Sequence, residues 1–397
     1  MYDIIDIMGL FSVLKKEKIV AIFDIGSGSV GGAIVRVPLT GNSIPTIIKS
    51  VRTELKPYRN FNSYMKDMVS ILGTTVNSLY NKKMGAPDEI VCVLASPWYL
   101  SETRAIKMSK EKSFVFTKNL PSELIKKEIL NLGELHKEKY SKLGSSLEMI
   151  EHYTMSVSLN GYPTLEPLGK KCKSFEMDMI ISLSPKECLD KIRETLSKTF
   201  HHIDVSFSSF TLDTYLAVRD KYIAHDSYLL IDISGEITDV GIVIKGVLKS
   251  VISFPFGKKT FFNLICTKLD IEQRDAEEFF KLYNDNTLSD EFKNKIIPIL
   301  KTIEDSWSES FMEGISTLPH TLMIPNTVFL TADNDIKKWF AEVLCKGEFF
   351  KTMTSQHPCI VTTLDGPEFL NMCDNKNGVC DPFLMIEAIA MMRKMKI

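Results

Sequence analysis

The chain writes one short plan twice. KIVAIFDIGSGSVGGAIVRV, from Lys18 to Val37, is an apolar run closed by Asp24, a turn of glycines and serines, and a second apolar run. DSYLLIDISGEITDVGIVIKG, from Asp226 to Gly246, repeats it with Asp232 at the end of the first run. Short continuous apolar runs bounded by Asp and Gly read as buried β-strands. The glycines give the turn backbone room and let its N–H groups approach something bulky and electron-rich, for which phosphate is the obvious candidate. Two such units make physical sense facing each other across a cleft that holds a nucleotide. Backbone N–H groups of each turn would cradle phosphate oxygens, while Asp24 and Asp232 would hold a hydrated divalent cation through water. A plain glycine-rich hairpin is the bland alternative for either unit taken alone.

Length and composition narrow the classes. A chain of 397 residues, 44% of them hydrophobic, can bury a large core and suggests more than one domain. A formal net charge of −2 and the lack of a basic block interleaved with aromatics argue against nucleic acid as a partner. Eight cysteines are scattered, and the nearest spacing, Cys373 and Cys380, suits free thiols better than a metal or disulfide site. No apolar run reaches the ~20 residues that span a bilayer, and MYDIIDIMGLFSVLKKEK carries acids where a signal peptide carries bases, so a cytoplasmic protein is expected.

Between and after the two units, strands and helices alternate. Met65, Met68, Val69, Leu72, Val76 and Leu79 recur at helical spacing, with Gly85 expected to end the helix. From Leu100 to Glu176 the texture turns Lys/Glu-rich and reads as an inserted subdomain. Residues 268 to 312 read as helical and charged, NTVFLTADNDIKKWFAEVL as strand, turn and helix. In the final DPFLMIEAIAMMRKMKI, an amphipathic membrane-lying helix competes with a last core helix, and the core reading is preferred because basic residues suit a helix C-terminus anyway. His201 and His202 read as a helix C-terminal pair.

DIGSGSV, DISGEITDV, LDTYLAVRD, GYPTLEPLGKKCKSFEMDM and the N-terminal MGLFSVLKKEKIVAIFDIGSGSV, in this order and spacing, resemble the FtsA/PilM family of bacterial actin-like ATPases over nearly the whole chain. The resemblance implies an α/β fold of the actin-like (ribonuclease H-like) two-lobed type, with an α+β subdomain inserted in the first lobe. Its boundaries would be 1–99 and 177–226 for the first lobe, 100–176 for the SHS2-like insert, 227–258 and 326–397 for the second lobe, and 259–325 for a helical subdomain. It also implies ATP and Mg²⁺ as ligands. Asp24, Gly26, Ser27, Gly28 and Ser29 match the first phosphate loop, and Gly31 stands where many relatives carry a lysine. Asp232, Gly235, Thr238 and Asp239 match the second loop. Asp213 takes the place of an acid that positions metal or attacking water, and Glu278 with Lys281 that of a pair near the adenosine. Against these stand Ser234 and Glu236 in the second loop, and Ala332 and Asp333 where the family writes glycines. These side chains oppose close approach of a nucleotide, so weak or lost ATP hydrolysis is expected.

The function so implied is a scaffold that binds a cytoplasmic peptide of a membrane-anchored partner, most simply in type IV pilus assembly, with membrane association through that partner and no binding to anionic vesicles on its own. Self-association is a second mode in the family. The alternatives are an FtsA-like division tether, a small-molecule kinase of the same superfold, and a pseudo-ATPase that binds only protein. Trp98 and Tyr99, at the entry to the insert, are candidate partner contacts, although two aromatics after a proline are equally compatible with core.

Overall fold

The computed structural model describes residues 16–41, 43–55, 61–80, 85–141, 146–201, 203–319, 322–347, 359–376, 378 and 380–395. The first fifteen residues and His202 lie outside these.

The chain opens with β1 (Glu17–Ile25), β2 (Ser29–Pro38) and β3 (Thr46–Glu54), an antiparallel meander closed by the glycine-serine turn. Helix α1 (Phe61–Leu79) then crosses over, and β4 (Glu89–Leu94) lies parallel to β1. A parallel partner needs such a crossover, because both strands must run the same way. The helix ends at Leu79, short of Gly85, whose φ of +72° belongs to the following turn.

The insert follows as β5 (Leu100–Val115), α2 (Asn119–Ser141), β6 (Leu147–Leu159), β7 (Tyr162–Pro163) and β8 (Lys171–Pro185). These strands form a separate antiparallel sheet in the order β5-β8-β6-β7. One face buries Met177, Met179, Ile181 and Leu183 with Leu132 of α2. The chain returns through α3 (Lys186–Ser197) to β9 (Val205–Ser209), the far edge of the first sheet, in which β3, β2, β1, β4 and β9 lie side by side in that order, and then α4 (Phe210–Lys221).

The second unit repeats the plan. β10 (Tyr228–Ile233) and β11 (Thr238–Ile244) are antiparallel, β12 (Val247–Phe254) continues the meander, and α5 (Lys258–Leu269), α6 (Gln273–Asn284) and α7 (Asp290–Ser316) fill the crossover to β13 (Thr327–Ala332), parallel to β10. Helix α8 (Asn334–Lys346), β14 (Ile360–Thr363), β15 (Asp374–Asn375) and α9 (Pro382–Met395) complete the described chain.

Alternation along the central strands sorts the layers. Ala21, Phe23 and Ile25 of β1 face α1 and α3, whereas Val20 and Ile22 face α4 and α9. Leu230 of β10 packs into that same α4/α9 layer, and Leu229, Ile231 and Ile233 face α5 to α8. Helices α4 and α9 are therefore shared between two sheets, which makes α9 a core helix: Leu384 to Met391 are all buried. This layering leaves Asp24 and Asp232 at the equivalent ends of β1 and β10, where the two turns meet.

Candidate functional site

The turn after β1 is held from below. Gly26 N–H donates to Ser29 O at 3.0 Å, while Trp98 Nε1 and Tyr64 Oη donate to the carbonyls of Gly26 and Ser27 at 3.0 and 2.9 Å. Trp98 and Tyr64 stack with ring centroids 4.6 Å apart. Trp98 is 1% exposed, and Tyr99 is buried with its hydroxyl 2.6 Å from Thr211 Oγ1. Neither aromatic offers a surface to a partner, which corrects the sequence expectation: the turn after β4 folds both under the first loop, where they buttress it.

The two loops touch. A Cβ on Gly235 would come within 2.5 Å of the Gly28 backbone, so position 235 must be glycine for this approach, while a Cβ on Gly28 would sit a tight 3.2 Å from Gly235 Cα. Ser27 Oγ lies 2.8 Å from Ser234 Oγ and accepts the Glu236 backbone N–H at 2.9 Å. That N–H is the kind of donor that would serve a phosphate, and the serine already satisfies it. The space left between Asp24, Asp232, Ser27 and Gly235 is a small cavity of about 30 Å³.

Arg52, on β3 directly across from Gly31, fills the position that a side chain at 31 would take. A Cβ on Gly31 would lie 2.8 Å from its Nη2. The guanidinium bonds Asp24 Oδ2 at 2.8 Å, Asp381 Oδ2 at 2.7 Å and Ser29 Oγ at 2.8 Å. The charge that the sequence comparison finds missing at 31 is thus supplied from the neighbouring strand. Sequence reasoning missed Arg52; the one signal for it is that a glycine in a central strand marks a close approach. Burial pushes the Asp24 carboxyl up, with Arg52 acting against it, and Arg52 is itself raised by its two carboxylates despite burial.

Asp232 accepts a hydrogen bond from Thr331 at 2.7 Å, and burial raises it well above the usual carboxylate range. Asp239 accepts from Ser96 at 2.9 Å and Ser253 at 2.5 Å and is likewise raised by burial. Thr238 is fully buried and turned away from the loops, donating to Phe256 O at 2.6 Å and accepting from Trp307 Nε1. Its place in the site is therefore structural. Outward from the same two loops a second hollow of about 320 Å³ is lined by Gly28 and Gly235 with Arg52, Lys258, Glu277 and Asp333. Glu277, not Glu278, faces it; Glu278 and Lys281 are exposed and outside its lining, because helical spacing carries them to the other side of α6. Asp333 and Asp335 hold Lys258 at 3.0 and 2.8 Å, and Lys259 lies 3.1 Å from Glu236.

Asp213 is not at the loops. It sits in the first turn of α4, which springs from β9 at the sheet edge, two strands from β1. There it accepts from Lys394 at 2.6 Å and Ser208 at 2.8 Å, and Lys394 also pairs with Glu151 of the insert at 2.7 Å. Burial, with the Glu151 charge adding to it, pushes Asp213 up to about 6 against the pull of Lys394. This cluster lines a groove of about 380 Å³ between β6 of the insert, β9 and α9, whose apolar lining includes Val91, Tyr153, Phe207, Met391 and Met395. The position inferred for a water-orienting acid is therefore occupied by a groove residue.

In this geometry the loops do not fit a nucleotide's phosphates with a hydrated cation. The floor between them is small, a phosphate-facing N–H is taken by Ser27, and Arg52 bridges Asp24 to Asp381 where a metal would need open carboxylates. No group of three or more His, Cys, Asp or Glu among the described residues could hold a metal ion, and all eight cysteines are free.

Two like lobes facing across a cleft, with a subdomain inserted in the first, define the two-lobed α/β fold of the actin-like ATPases. Among solved structures, the chain is similar to the PilM-PilN type IV pilus biogenesis complex, with a TM-score of 0.62 at 12% identity over 95% of this chain and 98% of that one. At that identity the likeness shows the fold. More distant are the ethanolamine utilization protein EutJ from Carboxydothermus hydrogenoformans (TM-score 0.42, 10% identity, 95% and 89% covered) and a Bacteroides thetaiotaomicron protein with an actin-like ATPase fold (TM-score 0.40, 9% identity, 96% and 99% covered). No protein-family model and no curated protein matches the sequence.

Proposed function

We propose that this chain is a PilM-like scaffold that docks an extended peptide of a membrane-anchored partner in the groove between β6, β9 and α9, and that its nucleotide cleft is closed. The observation that carries the reading is the groove itself. Among the described residues β9 is the edge strand of its sheet and pairs only with β4, and the outer edge of β6 is paired by β7 only at Ser158 and Leu159. An extended segment can add to such an edge through backbone hydrogen bonds while the half-buried Tyr153 and Met395 of the groove receive its apolar anchors. The fold shared with the PilM-PilN complex supports a partner of that kind. No helix among the described residues is long and apolar enough to cross a membrane, which supports attachment through another protein. The sealed loops favour a protein-binding role over a kinase, and the burial of α9 speaks against an FtsA-like tether built from that helix.

The test is a peptide array carrying the cytoplasmic N-terminal segments of single-span membrane proteins from the source organism, followed by hydrogen exchange on the hits. The reading expects a hit that protects β9 and the 147–157 part of β6 and is lost in Met395→Lys. Protection confined to another face would overturn it.

A further inference from the structure

The inserted sheet ends in a tip remote from both phosphate loops. After β6 the chain turns through Asn160 and Gly161, both at positive φ (52° and 83°), lays Tyr162 and Pro163 back against Ser158 and Leu159, and returns through 164–170 into β8. On this tip Leu165 is 102% exposed, Tyr162 77% and Leu168 51%, and Val115 at the end of β5 is exposed beside them. Gly169 N–H donating to Phe116 O and Phe116 N–H donating to Lys170 O fasten the tip to the end of β5. Single exposed apolar side chains are ordinary; Tyr162, Leu165 and Leu168 within seven residues of one hairpin and its loop, with Val115 at the same end of the sheet, form a patch.

The same end of the sheet carries Lys110, Lys112, Lys118, Lys170, Lys171 and Lys173, all exposed, against Glu111 and Glu166. None of the six lysines forms an ion pair with a carboxylate among the described residues. An excess of four positive charges thus surrounds protruding apolar side chains. Tyr162, Leu165 and Leu168 stand out from a hairpin and its loop at 51–102% exposure, which suits entry into a surface. Flexible ammonium groups spread around the patch suit a fluid array of phosphates better than the fixed geometry of a protein pocket, and their stems can lie along apolar surface while the heads stay in water.

We propose that this tip of the insert contacts an anionic membrane surface directly, with Tyr162, Leu165 and Leu168 entering the headgroup boundary and the six lysines over lipid phosphates. The contact is independent of the peptide groove, and it revises the expectation that the chain reaches a membrane only through its partner. Alone it is weak and reversible; beside a partner-held peptide it supplies the second anchor that stable attachment requires.

Flotation of the full chain with phosphatidylglycerol vesicles and with pure phosphatidylcholine vesicles tests this. Each lysine near an anionic surface is worth about fivefold in partitioning. Charge reversal at Lys170, Lys171 and Lys173 together is therefore expected to weaken binding to phosphatidylglycerol by about a hundredfold or more. Tyr162→Ser with Leu165→Ser is expected to weaken it about tenfold or more, and added salt to weaken the wild type. All these side chains are exposed, so unchanged melting temperatures are expected. In Leu165→Trp, the added tryptophan emission should shift to the blue on phosphatidylglycerol vesicles. Equal or absent binding of wild type to both vesicles at low salt, tip variants that bind like wild type, or no emission shift would each overturn the proposal. So would tip variants that lose a protein partner while wild type ignores vesicles, since that outcome assigns the tip to a protein pocket.

Discussion

Arg52 and Asp381 lie 329 positions apart and meet through two hydrogen bonds, Nε to Oδ2 at 2.7 Å and Nη2 to Oδ1 at 3.1 Å. The same Asp381 accepts the Phe383 and Leu384 N–H groups at 3.1 and 3.2 Å, so it caps α9 while holding the guanidinium that closes over Asp24. The end of the first sheet and the start of the last helix are thereby one charged unit, with Phe383 beneath the guanidinium at 5.0 Å from its ring centroid.

Arg52→Ala should be the costliest single change at the loops. It leaves Asp24 and Asp381 without their counter-charge in a largely buried place, and breaking such a pair costs about 3–5 kcal/mol. Chemical denaturation checks this. A double-mutant cycle with Asp381→Ala should return a coupling of on the order of 1 kcal/mol or more, since the two side chains share one network.

ATP with Mg²⁺ should leave the melting temperature unchanged. A ligand at about 100 times its dissociation constant adds roughly 2.7 kcal/mol, an effect easily read in a thermal-shift titration. A clear upward shift that disappears in Asp24→Ala and Asp232→Ala would show that the loops part to admit a nucleotide.

Trp98→Ala should lower stability by about 3–5 kcal/mol, the usual loss for truncating a fully buried tryptophan. It removes the stacking on Tyr64 and the hydrogen bond to Gly26 O together. A melting temperature close to wild type would return Trp98 to the list of surface contacts.

Asp213 makes stability depend on pH between the ordinary carboxylate value of 3.8 and about 6. Because folding raises this carboxyl, its stabilising contribution is full below pH 3.8 and is lost as pH rises through about 6, a difference on the order of 3 kcal/mol. Unfolding free energies measured across that window should therefore move in favour of wild type over Asp213→Asn as the pH falls. An unchanging difference would mean that Lys394 keeps Asp213 ionised throughout.

Glu387 in α9 is fully buried, and neither carboxyl oxygen has a hydrogen-bond partner. Burial, reinforced by the charges of Asp24 and Asp213, raises it well above the usual range. Glu387→Met removes unsatisfied polar atoms at similar volume and should stabilise the chain by about 1–3 kcal/mol. Destabilisation in urea titration would contradict this.

The sequence by itself determined the two strand–turn–strand units, the alternation of helices with them and hence the two-lobed fold. Those signals are local: an apolar run such as Ile19–Phe23, a turn that needs glycine, a helical period over Met65–Leu79. It also marked the loop residues from Asp24 to Ser29 and from Asp232 to Asp239 as the place where the lobes meet. Only the tertiary structure decided what that meeting is. Ser27 meets Glu236 across 209 positions, Arg52 covers the gap left by Gly31, Trp98 turns under the loop, and Asp213 faces a groove with Lys394. Each of these depends on a neighbour brought in by sheet register or helix crossover. A side chain's burial, charge partner and accessibility are set by that neighbour and not by the residues beside it in the chain.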